Sequence, residues 1–540
     1  MRKQPSAPAR RPAAAVAIGA GILLSRLSGL IRQRVFAYYL GSSEAAGAFM
    51  AALRVPNMLQ NLFGTGVLSA SLVPVYARLL AEGREEEAGR AAGAVLSLLS
   101  LLVAALTLLG VAFSRPLVTL VAPGFSGEVR ELTIRLVAIM FPGMGLLVLS
   151  AWCLGVLNSH RKFFLSYVAP VLWNLAIIVA LLGFGARLAS TRPGQEKLAV
   201  VLAWATVVGA ALQLGSQVPG AWRLNGGLRL SLEHTLAPVR AILRGFFPAL
   251  LARGVVQLSG YIDQVLASFL GPQAIAAMAY AQMLYTLPVS LFGMSISSAE
   301  LTEMSRAVGS PQEREGMIRE RLVTGLRRVS FLIVPSSVAF VLLGGVIAAA
   351  LFETGHFGRS DAYFVWIILI GFTVGLLATT QSRLCVSALW AFEDTRTPAA
   401  IAGVRVALTA FFGYLAVFPL RARLGLSVMT AAACLTASAG LAGWLEFVLI
   451  RRALARRLGA FHAGLPALAR HWASALLAAA AALALEKALP AAGPIAKGVL
   501  IVPAYGALYL GLALMLGVPE ARGALNRLRA QLDAFRTPRH

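Results

Sequence analysis

Acid is scarce in this sequence, and charge of either sign is thin. Of 540 residues 13% are charged and 58% hydrophobic, with 23 Asp and Glu against 48 Lys and Arg. A chain of this length could not cover a soluble surface with so few polar groups. Cysteine is almost absent: Cys153, Cys385 and Cys434 are odd in number and scattered through apolar stretches, a pattern that suggests neither a disulfide framework nor a zinc site. The six histidines fall at no metal-ligand spacing, and no G-x-x-x-x-G-K-[ST] loop is present for nucleotide hydrolysis. The stretches between apolar runs on the outer side are short, which speaks against a transferase that would hold its acids in a large outer loop. Glu300 and Glu303 share a helical face, but at a helix end, where interfacial carboxylates are commoner than catalytic ones. An enzyme is therefore not expected, and no cofactor or metal.

What is present is apolar sequence in windows long enough to cross a membrane, about 20 residues each. Fourteen can be drawn, the first near 13–40 and the last near 496–517. The fold class is an all-α polytopic membrane protein. The first 25 residues resemble a signal peptide, but the apolar run continues past Arg26 with no persuasive cleavage site, so a retained first span is expected. The net charge of +25 is dispersed over loops rather than gathered on one face, which argues against a nucleic-acid partner. With fourteen spans, Lys and Arg are roughly threefold commoner on one side, and the positive-inside rule places both termini in the cytoplasm. Arg2, Lys3, Arg10 and Arg11, then Arg319, Arg321, Arg327 and Arg328, then Arg451, Arg452, Arg456 and Arg457 make up much of that inner set.

The chain repeats itself at about 230 residues. Leu40-Gly41, Pro56, Leu62-Phe63-Gly64, Ser69 and Ser71 recur in order as Leu270-Gly271, Pro288, Leu291-Phe292-Gly293, Ser295 and Ser297. Pro123-Gly124-Phe125 likewise has a counterpart in Gly355-His356-Phe357. Six spans separate the copies, and an even number returns the chain to the same side. Two six-helix lobes in parallel pseudo-twofold repeat are expected, an arrangement typical of carriers. The divisions are 1–222 for spans 1–6, 223–452 for spans 7–12, and 453–540 for two further spans and a cytoplasmic tail.

Arg26, Arg32 and Arg34 lie inside the first span. A cation within hydrocarbon is costly, and those retained there usually face a wet cavity and meet an anion. Snorkelling to the head groups is the alternative, and it suits Arg34 best. On a straight helix Arg26 and Arg32 point about 120° apart, so a bend at Gly29 is expected to bring both to one cavity. Span 2 adds Arg54, Pro56 and Asn57. A proline there frees backbone groups and makes a hinge, with Asn57 placed to satisfy them or to touch a ligand.

Several stretches together resemble the lipid II flippase family, MurJ (MviN): SRLSGLIRQRVFAYYLG at 25–41, the RVPNMLQNLFGTGVLSASLVPVYARLL that begins at Arg54, APGF at 122–125, LNSHRKF at 157–163, Pro248 with Gln257 and Asp263, ASFLG at 267–271, and EDTRTP at 393–398. The resemblance covers nearly the whole chain. It implies a MATE-like exporter fold, two lobes around a central cavity with two C-terminal helices forming a lipid-facing groove, in the bacterial inner membrane. It implies transport of the undecaprenyl-pyrophosphate-linked peptidoglycan precursor to the outer leaflet by alternating access. Cell-wall synthesis proteins are the partners such a carrier suggests, and a monovalent cation or the membrane potential its energy source. Arg26 and Arg32 match the family's functional arginines in helix 1. Arginine suits the substrate, because its planar fork can donate two hydrogen bonds to phosphate oxygens.

The sequence also departs from that family. Gln60 and Met283 stand where the family usually has arginines, and Gly47 and Thr65 where it has acids. Arg253, in a helix-7 position that is usually apolar, is the expected compensation, with Arg383 and Arg405 as weaker candidates. Asp263 matches a position associated with sodium in some members, so it is expected either to hold an ion or to pair with an arginine. The lost arginines leave two alternatives open: a carrier of another polyprenyl-linked or lipidic anion, and a scaffold of the cell-wall machinery that no longer transports. A MATE-type drug exporter would share the architecture but not the helix-1 arginines.

Overall fold

The computed structural model describes residues 12–526 apart from 228–230, 232, 234, 308 and 463. Among described positions, the side chains of residues 12–20, 22, 65, 249, 251–253, 255, 256 and 259 are left aside. The chain is helical throughout. In order the helices are α1 Pro12–Leu40, α2 Glu44–Phe63, α3 Thr65–Ala81, α4 Glu85–Ala112, α5 Ser114–Val121, α6 Gly127–Ser159, α7 Phe163–Leu188, α8 Arg192–Leu224, α9 Ala237–Ser268 and α10 Pro272–Pro288. They continue with α11 Ser295–Met304, α12 Pro311–Leu342, α13 Gly344–Phe352, α14 Arg359–Thr373, α15 Leu376–Ala391, α16 Arg396–Leu415, α17 Arg421–Leu424, α18 Val428–Leu458, α19 Leu465–Ala488 and α20 Pro494–Met515.

Their starts follow ordinary capping chemistry. Side chains of Ser43, Thr191 and Ser427 accept from backbone N–H groups of the first turns of α2, α8 and α18, and Ser310 with Glu313 forms a reciprocal cap on α12. Among the described residues eleven helical stretches are long and apolar enough to cross a membrane, and α14 with α15, bent by 42° at their junction, makes a twelfth if counted as one span. The chain is thus a multi-pass membrane protein.

Two of the long stretches are interrupted within the repeated Leu-Phe-Gly motif. In Glu44–Ala81 the α-helix continues through Pro56 and breaks at Gly64. In Pro272–Met304 the irregular piece is a π-helix over Val289–Met294, which contains Leu291, Phe292 and Gly293. The motif phenylalanines Phe125 and Phe357 are both buried. Only two non-glycine residues among those described take a left-handed backbone, Arg161 at φ 60 and Glu393 at φ 61. They sit at the same spacing as the sequence repeat, each in the turn that ends a long helix, α6 or α15.

Two compact units divide the chain, Met1–Leu258 and Ser259–His540, the division falling within α9. In the first, α6 packs against α2, α3, α4 and α8, and several polar side chains of its interior are joined. Ser150 donates to Gln217 Oε1 at 2.7 Å, Gln213 donates to Ser150 at 3.1 Å, and the Trp152 indole donates to the Ala92 carbonyl at 2.9 Å. Helix ends alternate as an up-and-down bundle requires. The starts of α2, α6 and α8 meet where Arg192 pairs with Glu44 and Glu128. The opposite ends meet where the Tyr76 hydroxyl joins His160 at 3.1 Å and Asn225 at 3.3 Å, and Asn225 donates to the Gly89 carbonyl.

In the second unit, α14 and α15 run against α18 at backbone distance. A Cβ on Gly375 would meet the backbone of Gly440, and one on Gly371 would meet Thr436 and the Ala433 carbonyl, so only glycine allows this approach. The added helix α20 docks on α12 through a proline. Pro335 has no N–H and leaves the carbonyl of Phe331 without its helical donor. Tyr509 supplies that hydrogen bond at 2.6 Å, and Tyr505 donates to the Pro335 carbonyl at 2.8 Å.

Candidate functional site

Arg26, Arg32 and Arg34 sit on α1, whose register is fixed by its neighbour α7. A Cβ on Gly21 would lie 2.9 Å from Tyr167, and one on Gly185 would lie 2.6 Å from the Tyr39 ring, so the two helices touch closely at both ends and run in the same direction. Between these contacts Asn174 donates to Ser28 Oγ at 2.9 Å, and Ser28 donates to the Ser25 carbonyl at 2.9 Å. Gly29 faces Asn174 across this seam, and α1 is α-helical through it without a break.

Arg26 is exposed and Arg34 half-buried. The Arg32 guanidinium lies over the Trp173 ring, 4.8 Å from its centroid, and no carboxylate pairs with it among the described residues. Arg54, Asn57 and Gln60 are half-buried on α2, and Met283 is half-buried on α10. The side chain of Arg253 lies outside the described residues. Asp263, on the last turns of α9, is half-buried.

The second unit holds an ionic pair that the sequence reading did not anticipate. Arg405 on α16 meets Glu446 on α18 at 2.9 Å, with side-chain exposures of 28% and 10%. Glu446 is thus, besides Asp263, a second acid within a long helix of this half, and one that the sequence reading did not single out. It lies near the basic end of its span, among Arg451 and Arg452, and so reads in sequence as an interfacial residue. Glu300 is also buried at 4%, held by Arg328 at 3.0 Å and Arg321 at 3.7 Å. Glu303 pairs with Arg321 at 3.1 Å. The two carboxylates join α11 to α12 as structural ions.

Two sequence motifs prove to be loop clasps. In LNSHRKF, His160 is the partner of Tyr76, and burial pushes its pKa below the ordinary histidine value. In EDTRTP, Asp394 accepts from the Thr397 N–H at 3.0 Å and its hydroxyl at 2.9 Å. It pairs with Arg457 at 3.1 Å. The Thr397 backbone hydrogen bond heads the causes that hold its carboxyl below the usual range. Trp173 and Asn174 were missed, although an Asn beside a Trp in the apolar run of α7 is a readable anomaly. Among the described residues no three His, Cys, Asp or Glu gather as a metal site would need.

Comparison with known proteins accords with this architecture. The family model described as lipid II flippase MurJ matches residues 36–501; the match begins just after Arg34. A probable lipid II flippase MurJ of Rhizobium tropici is 31% identical over 451 residues, covering 82% of this chain and 80% of the relative. A lipid II flippase MurJ solved in an inward closed conformation is similar in fold, with a TM-score of 0.75 at 22% identity, covering 93% of this chain and 98% of that one. An inward-facing multidrug resistance MATE family transporter is similar with a TM-score of 0.64 at 18% identity, over 82% and 98%. The chain belongs to the lipid II flippase MurJ family.

Proposed function

We propose that this chain moves the undecaprenyl-pyrophosphate-linked peptidoglycan precursor from the inner to the outer leaflet of the bacterial inner membrane by alternating access. The proteins of its family are lipid flippases rather than enzymes. The observation that carries the reading for these residues is Arg32, a guanidinium on α1, which this reading takes as a span, that has an aromatic face but no carboxylate among the described residues. An unneutralised cation in a span is hard to retain without an anion to meet. The pyrophosphate supplies one, while the polyprenyl tail stays in lipid. Arg26 joins it, Arg54 and Asn57 extend the site, and Arg253 offsets the arginines absent at Gln60 and Met283.

The same reading takes α1 and α9 as spans alongside the twelve, giving fourteen, with both termini cytoplasmic. Two six-span lobes are related by a parallel pseudo-twofold, which the Arg161 and Glu393 turns and the paired Leu-Phe-Gly irregularities support. Gly29 and Pro56 serve as flexing points. Asp263 is the candidate for coupling to a monovalent cation, with the membrane potential as the other energy source. Proteins of cell-wall synthesis are the proposed partners.

The test is complementation of a strain depleted of its own lipid II flippase. Growth restored by this chain is the expected result. A membrane-inserted chain that binds the precursor but never restores growth would favour a transport-inactive scaffold. One that moves a different polyprenyl-linked lipid would favour the other carrier reading.

A further inference from the structure

The seam between α1 and α7 places Trp173 at a definite height. Gly21 meets Tyr167, Gly29 meets Asn174 and Tyr39 meets Gly185, so the two parallel helices keep one register and Trp173 lies level with α1 between Arg26 and Gly29. The Cα of Arg32 is more than a turn further along, at about 1.5 Å per residue. Its guanidinium nevertheless lies over the Trp173 ring. The side chain is folded back along its own helix towards Arg26, away from the Leu40 end. A snorkelling arginine would reach the other way, towards the nearer helix end. The α-carbons of Arg26 and Arg32 are about 9 Å apart along the axis, too far for both to grip one phosphate group from extended positions. Folding Arg32 back shortens that axial separation and leaves the angle of about 120° between the two side chains to the flexing point at Gly29.

The ring is itself fixed. A Cβ on Gly209 of α8 would come within 3.0 Å of the Trp173 backbone and 3.1 Å of the ring atom Cδ1, and the Trp173 side chain packs against the buried cluster of Met144, Leu147 and Ala210. Among the described residues the buried indole N–H has no acceptor. An unsatisfied buried donor is a cost that phenylalanine would not carry. What tryptophan offers in exchange is the strongest aromatic face for a cation.

We infer that Trp173 is a positioning residue for substrate recognition: it holds the Arg32 guanidinium at the level of Arg26 so that the two cations can engage one diphosphate. This rests on the reading that Arg26 and Arg32 bind the pyrophosphate. The test uses the full chain in nanodiscs, with undecaprenyl pyrophosphate as the probe. Affinity and thermal midpoint are measured for the parent, Trp173→Leu, Trp173→Phe, Arg32→Ala and the Arg32→Ala/Trp173→Leu pair. Trp173→Leu is expected to weaken binding about ten- to thirty-fold, the range of a desolvated cation–aromatic contact. Trp173→Phe should weaken it a few-fold while leaving the midpoint at or above that of the parent, because the orphaned donor is gone. In the Arg32→Ala background, Trp173→Leu should cost nothing more. Equal affinity of Trp173→Leu and the parent, with Arg32→Ala weakened, overturns the inference alone, as does an undiminished Trp173→Leu effect without Arg32. If Trp173→Leu does not fold, a Trp173→Phe chain that loses both midpoint and affinity overturns it. Unchanged affinity in Arg32→Ala removes the anion-site reading and the inference together.

Discussion

Removing Glu446 while keeping Arg405 should strand a cation inside the second unit. The pair is 2.9 Å apart, with 10% of the Glu446 side chain and 28% of the Arg405 side chain exposed. Deleting one partner of a buried pair costs about 3–5 kcal/mol, because the remaining charge loses its counter-ion and regains little water. Replacing both with apolar residues of similar size is often neutral or favourable. Glu446→Leu is therefore expected to unfold well below the parent, and Arg405→Leu/Glu446→Leu to recover most of the loss. Thermal unfolding of the purified full chain in one detergent, followed by size-exclusion recovery, reads both effects. Equal stability of Glu446→Leu and the parent, or a double variant no better than the single, would refute the assignment of this pair as a desolvated ionic contact.

Acidification should loosen the first unit at His160. Its folded pKa is depressed by burial, so the folded state binds fewer protons than the unfolded chain; its stability is full above about pH 6.5 and falls as pH drops towards the folded pKa. His160→Gln should flatten that dependence in thermal melts between pH 8 and pH 5. Gly375→Val should cost about 1–3 kcal/mol or more by forcing α15 off Gly440, visible as a lowered midpoint; Gly403→Val, with open space at its Cβ, should cost much less. Cysteines introduced at the exposed Ala81 and Ala460 should be labelled from the cytoplasmic side and one at Ser126 from the outside, and external labelling at Ala460 would contradict the orientation.

Hydropathy made the membrane fold legible because each span is a continuous apolar run, and the Leu-Phe-Gly repeat, read in sequence only as the mark of two related halves, falls on a helix irregularity in each copy. The left-handed turns at Arg161 and Glu393 gave no such signal, since neither is glycine and the two loops share no residue pattern. Arg26 and Arg32 stood out as cations in an apolar run, and the only means of convergence the sequence offered was a backbone bend at Gly29. A helix-spacing argument treats side chains as points on a cylinder, whereas a long arginine can travel more than a turn along its helix to an aromatic face. Trp173 was invisible to that argument because its role depends on the register of two helices that are distant in sequence. Glu446 was hidden by its nearness to a basic cluster. Glu300 read as interfacial rather than catalytic from its place at a helix end, whereas it is buried against Arg328 and Arg321.

The most direct measurement of the central claim is the amount of lipid II exposed on the outer leaflet of cells depleted of their own flippase, read by an externally added enzyme that cleaves it. Expression of this chain is predicted to restore cleavage, and Arg32→Ala, inserted at the same level, to abolish it. Full cleavage with Arg32→Ala, or none with the parent chain correctly inserted, would contradict the account.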